Sequence, residues 1–323
     1  MNDRPDALRV DLRAAWHRYV DELAPIRPAL HDYCRRLTGN LWDAEDLAQD
    51  TLLRAFGRWG VTYPAIRDPR AYLLRTATNV WIDTLRRRRL ESLDRERDPD
   101  TLAAAGADPS AAGDVRDAGT RLLQRLSPQE RVAVVLKEAF DMSLEEIADL
   151  LSTTTGAVKA ALHRGRGRLA AASAPAQRPL PSTALLDRFV VLFDAKDVAG
   201  LIALLVEGAV AENVGNSMHV GLDPDHGVPH FLHKVVHGHA NWPPEAQWEA
   251  TRLERAEVEH EPVLLIIATR GGMERLMSVL RFDEVDGRIA RIRSYGFCPE
   301  TIRAIGGVLS RPVLTGLYRA PSS

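Results

Sequence analysis

The chain reads as three folded parts in series, two all-α and the last α+β. Three features carry that reading. Apolar residues recur at helical spacing, punctuated by helix-start signatures, from residue 8 to about residue 168. Two stretches without apolar periodicity, residues 91–118 and 173–182, break the pattern. Beyond residue 248 the texture changes to strand-like runs separated by turn residues.

At 323 residues the chain can bury more than one core. Its formal net charge of −2 excludes a uniformly basic nucleic-acid binder, so any such role must come from locally segregated charge. Cys34 and Cys298 lie far apart, imply neither a disulfide framework nor a metal-ligand pair, and are expected as buried small hydrophobes. There is no signal-peptide core and no apolar run of bilayer length, so a soluble cytoplasmic protein without membrane contact is expected.

Taken in order, Leu12, Trp16, Tyr19, Leu23, Ile26, Leu30 and Tyr33 predict one kinked helix or two over residues 8–38, with breaks at Pro25 and Pro28. Gly39 ends it. Asp43 is expected to cap a helix over 44–59, with Leu47, Thr51, Phe56 and Trp59 near one face. Glu45, Asp46, Gln49, Asp50 and Arg54 fall on the other. Asp68-Pro69 starts a third helix, over 70–89, that ends in Arg86 to Arg89. Arginines at a helix C-terminus suit the macrodipole; beside exposed aromatics they would also make a stacking platform for single-stranded bases. Residues 91–118 hold eight acidic and three basic residues among alanine, glycine and proline, the composition of a flexible acidic linker.

A short helix near residues 120–126 precedes the block from Ser127 to Arg168, around which the helical part is organised. Ser127-Pro128-Gln129-Glu130 is a capping box with proline at the first helical position, and Ser143-Leu144-Glu145-Glu146 is a second box. After the polar break at 152–155 a further helix starts at a threonine cap, Thr154. Val158 and Leu162 point inward, and Lys159, His163, Arg164, Arg166 and Arg168 point outward. Two helices about a short turn, the second apolar on one side and basic on the other, match a helix-turn-helix with its recognition helix. A helical hairpin with a solvated basic face would carry the same charges, so this stretch alone leaves both readings open.

Past the proline-rich linker, amphipathic helices are expected over 185–195 and 198–206, with Phe189, Leu192 and Phe193 in the core. Strand-like runs follow at 248–258, 263–270 and 274–285, the last turning at Asp286-Gly287 into 288–295. Helices followed by an antiparallel meander make an α+β domain.

Two separated blocks resemble a known family. Asp43 to Thr51, Pro69 to Leu73 and Asn79 to Arg86 look like region 2 of a bacterial sigma factor of the extracytoplasmic-function (ECF) class. Leu126 to Arg131, Glu146-Ile147-Ala148 and Val158 to Arg166 look like region 4 of the same class. The resemblance implies region 2 over 8–90, the acidic linker over 91–118, region 4 over 119–172, a linker over 173–182 and a further domain over 183–323. It implies that core RNA polymerase meets Asp46, Gln49 and Asp50. It places Asn79, Asp83, Arg86 and Arg87 near the melted −10 element of promoter DNA, and Thr155, Lys159, His163, Arg164 and Arg166 at the −35 element. The family often has serine and arginine where this chain has Ala160 and Ala161, which would leave only apolar contact to a thymine methyl there.

The last third resembles the SnoaL-like cone-shaped α+β fold, on the residues Phe189 to Val198, Leu201, Leu204-Leu205 and the meander from Val263 to Tyr295. Some sigma factors of this class carry such a domain behind region 4, which implies modulation of activity in cis. The Trp-Leu-Pro-Glu-Pro-like linker of the best-known fused groups is absent; Arg178-Pro179-Leu180-Pro181 stands there. An unidentified small ligand is a further partner such a fold can take.

Seven of the ten histidines fall between His219 and His260, so a metal, pH-sensitive or pocket-lining set has to be weighed against ordinary surface and core histidines. His233 and His237 share a helical face, with His230 and His239 near, but no carboxylate stands at comparable spacing; the ordinary explanation is preferred, and no metal or cofactor is expected. Trp242, Trp248 and Tyr295 are candidate pocket residues that would equally serve as core. The function expected is a transcription initiation factor, not an enzyme. An enzyme fused to a DNA-binding module and a helix-turn-helix repressor are the alternatives; a repressor would need no polymerase-binding face over Asp43 to Asp50.

Overall fold

The computed structural model describes residues 15, 18–62, 68–95, 126–169, 180–238 and 248–315. The chain divides into two units, residues 1–176 and 177–323.

In the first unit the prolines settle the opening segment as two helices. The helix carrying Tyr19 and Leu23 stops in a turn at Ala24 to Ile26. Helix α1, Arg27–Thr38, then starts with Pro28 in its first turn, and Gly39 closes it at φ 90°. Helix α2 spans Leu41–Thr62. Its cap is Asn40 rather than the expected Asp43: the Asn40 Oδ1 accepts from the Asp43 amide at 2.8 Å. The helix therefore begins two residues after Gly39. Helix α3 spans Pro69–Arg95 and is capped by Asp68, whose Oδ1 accepts from the Ala71 amide at 3.0 Å. It runs past the expected end at residue 89 and takes the first residues of the predicted linker, because leucine, glutamate and arginine there are good helix formers. The rest of that linker and the helix expected near 120–126 lie outside the described residues.

Buried phenols tie the opening helix to α2 and α1 to α3. The Tyr19 hydroxyl donates to the Leu52 carbonyl at 2.9 Å. Tyr33 lies 2.6 Å from Thr78 Oγ1; because Thr78 gives its own proton to the Leu74 carbonyl, Tyr33 is the donor. Burial raises both phenol pKa values. Helices α4 (Pro128–Glu138), α5 (Leu144–Leu150) and α6 (Thr155–Leu169) complete the unit. Helix α4 lies against α1 and α3: the Arg131 Nη1 donates to the Leu37 carbonyl at 2.5 Å and its guanidinium lies 5.0 Å from the Trp81 ring centre.

The second unit is α+β, as expected, but its sheet is mixed. Helix α7, Thr183–Asp194, is capped by Ser182, and α8, Val198–Ala203, by Asp197. The expected second helix gives way at Leu205 to strand β1, Leu205–Asn213. Strand β2 (Ser217–Val220) and helix α9 (Val228–His237) follow. Then come β3 (Ala250–Val258), β4 (Glu261–Arg270), β5 (Met273–Val285), β6 (Arg288–Ser294) and helix α10 (Pro299–Val308). The order across the sheet is β2-β1-β6-β5-β4-β3, and β1 runs parallel to β6. Asp286 and Gly287, both at positive φ, make the expected tight turn between β5 and β6.

Phe189, Phe193, Phe231, Leu280 and Phe282 fill the space between this sheet and its helices, with Phe189 and Phe282 edge to face at 5.0 Å. Arg281 alternates with Leu280 and Phe282 and so faces away from that core. It is buried nonetheless, in a bidentate pair with Glu261 at 2.6 and 3.0 Å, and donates to the Tyr295 hydroxyl at 3.0 Å. Cys34 and Cys298 are free and buried, as expected.

Candidate nucleic-acid interface

The capping boxes fold α4 and α5 locally. Glu130 and Glu146 each accept from the amide of their N-cap serine, at 3.0 and 2.7 Å, while each serine hydroxyl accepts from the glutamate amide. The polar break after α5 turns through Ser152 at φ 52°, and the Thr154 hydroxyl accepts from the Ala157 amide at 3.2 Å, starting α6. Val158, Ala161 and Leu162 are buried, and Gly165 sits so near α4 that a Cβ there would stand 2.9 Å from Val134.

This packing sorts the expected −35 residues. Lys159 and His163 are exposed with Ala160, and Thr155 is half-buried. Arg164 is tied down: its Nε donates to the buried Glu130 carboxylate at 3.2 Å. The Arg166 and Arg168 side chains lie outside the described residues. Of the two alanines that depart from the family pattern, Ala160 is on the exposed face and Ala161 is core.

On α3, Asn79, Asp83, Arg86 and Arg87 are all exposed and fall on one stripe at spacings of four, seven and eight. Asp83 lies 3.7 Å from Arg54 and 3.8 Å from Arg86, so the stripe carries both signs of charge. Of the aromatics on α3 near these arginines, Trp81 is buried beneath Arg131 and Tyr72 is half-buried, so neither of these two offers an exposed stacking face.

The expected polymerase-facing set on α2 divides as well. Asp50 is exposed and Asp46 half-buried, but Gln49 is buried and donates to Glu45 at 2.6 Å. Glu45 is itself buried, 3.4 Å from His31. A buried carboxylate needs partners, and the amide four residues on supplies one; that need takes Gln49 off the outer face. Crowding by the protein raises the Asp50 carboxyl pKa, opposed by Arg54 and Arg87.

In the second unit four of the described histidines form two ring pairs. His233 and His237 rings lie 4.7 Å apart, and His219 lies 5.8 Å from His230 with its Nδ1 3.1 Å from the His226 carbonyl. Among the described residues no three His, Cys, Asp or Glu side chains converge to hold a metal. Trp248 packs against the core, Tyr295 is taken by Arg281, and Trp242 lies outside the described residues. Among the described residues no helix is long and apolar enough to cross a membrane.

Comparison with known proteins follows these elements. The sigma-70 region 2 model matches residues 24–91, and the sigma-70 region 4 model residues 118–169. The ECF RNA polymerase sigma factor SigG of Mycobacterium tuberculosis is 31% identical over 224 residues, 58% of this chain and 59% of that protein. The chain thus spans less than two thirds of that relative's length. The RNA polymerase sigma-E factor of Streptomyces avermitilis is 37% identical over 142 residues, 44% of this chain and 76% of that protein. The crystal structure of the M. tuberculosis ECF sigma factor SigJ is 21% identical with a TM-score of 0.33, covering 85% of this chain and 95% of that one.

Proposed function

The chain belongs to the sigma-70 family of RNA polymerase sigma factors, and from that membership we propose that it directs core RNA polymerase to promoter DNA. The observation that carries the reading is the pairing of one exposed mixed-charge stripe on α3 with one exposed basic face on α6 in a single unit.

Lys159 and His163 enter the major groove at −35, with Thr155 at the mouth of the helix and Arg166 as a further contact to the DNA. Ala160 between them gives apolar contact to a base edge. Arg164 contributes through Glu130, by holding α6 at its angle. Asn79, Asp83, Arg86 and Arg87 hold the melted −10 strand, chiefly through phosphate contacts of the two arginines. Asp46 and Asp50 face the polymerase, with Gln49 supporting them from within. Residues 8–90 and 119–172 are the two modules, the acidic stretch 91–118 joins them, and residues 183–323 modulate activity in cis, with or without a small ligand. The protein acts in the cytoplasm.

The test is to mix the purified chain with bacterial core RNA polymerase and look for a stable complex and promoter-dependent transcripts. A complex that initiates supports the reading; no complex from either the full chain or residues 1–182 overturns it. Removing residues 183–323 is expected to change transcript yield while leaving the polymerase complex intact.

A further inference from the structure

Sequence spacing alone treats the histidines of the second unit alike, and the structure sorts them. Helix α9 carries His230, His233 and His237. His233 and His237 are exposed and four residues apart, with ring centres 4.7 Å apart and planes inclined by 47°. The other pair differs. His219 and His230 are half-buried, and their ring centres are 5.8 Å apart. The His219 Nδ1 is already engaged, 3.1 Å from the His226 carbonyl. Burial first, and then the charge of Lys234, lowers the pKa of His230, so a further cation there would meet a poorly solvated and already positive site.

Metal coordination sets a distance against which both pairs can be measured. A metal about 2.0–2.1 Å from an imidazole nitrogen stands roughly 3.2 Å from the ring centre. Two such rings have centres about 4.5 Å apart when the angle at the metal is about 90°, and about 5.2 Å apart at the tetrahedral angle. The 4.7 Å of His233 and His237 falls inside that window, and the 5.8 Å of His219 and His230 falls outside it. The helix adds an independent reason. His237 is the last residue of α9, and the Gly238 amide closes the helix on the Lys234 carbonyl. The negative end of the macrodipole therefore lies beside the first pair, where it favours a bound cation.

We propose that His233 and His237 chelate one divalent cation of the copper, nickel and zinc group. Neutral imidazole suits these metals, whereas Mg²⁺ and Ca²⁺ demand oxygen, and α9 carries no carboxylate. Both ligands come from one helix, so the site asks for no movement of the sheet or of the buried core. The proposal goes beyond the sigma reading and does not depend on it. It gives a chemical class to a small ligand of the second unit.

The experiment is a copper titration of the full chain without a histidine tag, followed by spin resonance, in which nitrogen couplings count the imidazoles on the bound Cu²⁺. Cys34 and Cys298 are buried and do not compete. One high-affinity site with two imidazoles on the copper is expected, holding Cu²⁺ more tightly than Zn²⁺ and not responding to Mg²⁺. His233→Gln and His237→Gln should each weaken binding at least about tenfold, since loss of even an outer partner of a metal ligand costs that much. His219→Gln should leave the affinity unchanged. The two α9 side chains are exposed, and circular dichroism checks that each variant is folded. Unchanged affinity in folded His233→Gln or His237→Gln overturns the site, and so does a single imidazole on the copper or loss of binding in His219→Gln. Polymerase takes no part in this readout, so failure of the sigma reading would leave the result standing.

Discussion

Glu130 is where helix start and recognition-helix placement meet, so its substitution separates two roles for Arg164. One carboxylate oxygen closes the capping box on the Ser127 amide and the other accepts from Arg164. Glu130→Gln keeps a side chain able to close the box and removes the charge opposite Arg164. That arginine side chain is 54% exposed, so the loss is screened and should be no more than about 1 kcal/mol. Glu130→Ala also removes the box and should cost about 1 kcal/mol more. Urea denaturation of the two variants reads both steps. Promoter binding by holoenzyme then assigns the arginine. If Arg164 positions α6, Glu130→Gln and Arg164→Ala weaken binding by similar factors, and the double variant is no worse than either single one. If instead Arg164→Ala alone lowers affinity and also reduces the salt slope by about 0.9, Arg164 is a phosphate contact and the positioning role is refuted.

Three more outcomes follow from the described contacts. Arg86→Ala and Arg87→Ala should each reduce the salt slope for single-stranded promoter DNA by about 0.7, while Asn79→Ala leaves it unchanged; fluorescence anisotropy across a salt series checks this. Arg281→Ala leaves Glu261 as a buried unpaired carboxylate and should cost about 3–5 kcal/mol in urea denaturation of the second unit, whereas the double variant Arg281→Met with Glu261→Leu should cost much less. Burial holds the His219 and His230 pKa values below 6.5, so their neutral forms are favoured on folding. That contribution is complete above pH 6.5 and is lost as pH falls through 6.5 toward the lower native values, so thermal stability of the second unit should drop from pH 7 to pH 5.5. His219→Gln should flatten the drop, and an unaltered slope in that variant would count against it.

What could be read from the chain alone was whatever acts within a few residues. The boxes at Ser127 and Ser143, the caps at Asp68 and Thr154 and the Asp286-Gly287 turn all close over at most four residues, so their chemistry lies in the local sequence. Helical periodicity likewise placed Val158 and Leu162 inside and Lys159 and His163 outside. Strands β1 and β2 escaped because Leu204-Leu205-Val206 continues a helical pattern; β1 becomes a strand by pairing with β6, more than 75 residues away. The face of a side chain that touches another module was equally hidden. Gln49 and Trp81 sit at positions that a single helix would leave open to water, and Arg164 at one that DNA would reach. Glu45, Arg131 and Glu130 claim them, because a charge drawn into the interior takes whichever partner the packed helices bring within reach. Local hydrogen bonds are written in neighbouring residues, and the partners of buried charges are decided only when the helices meet.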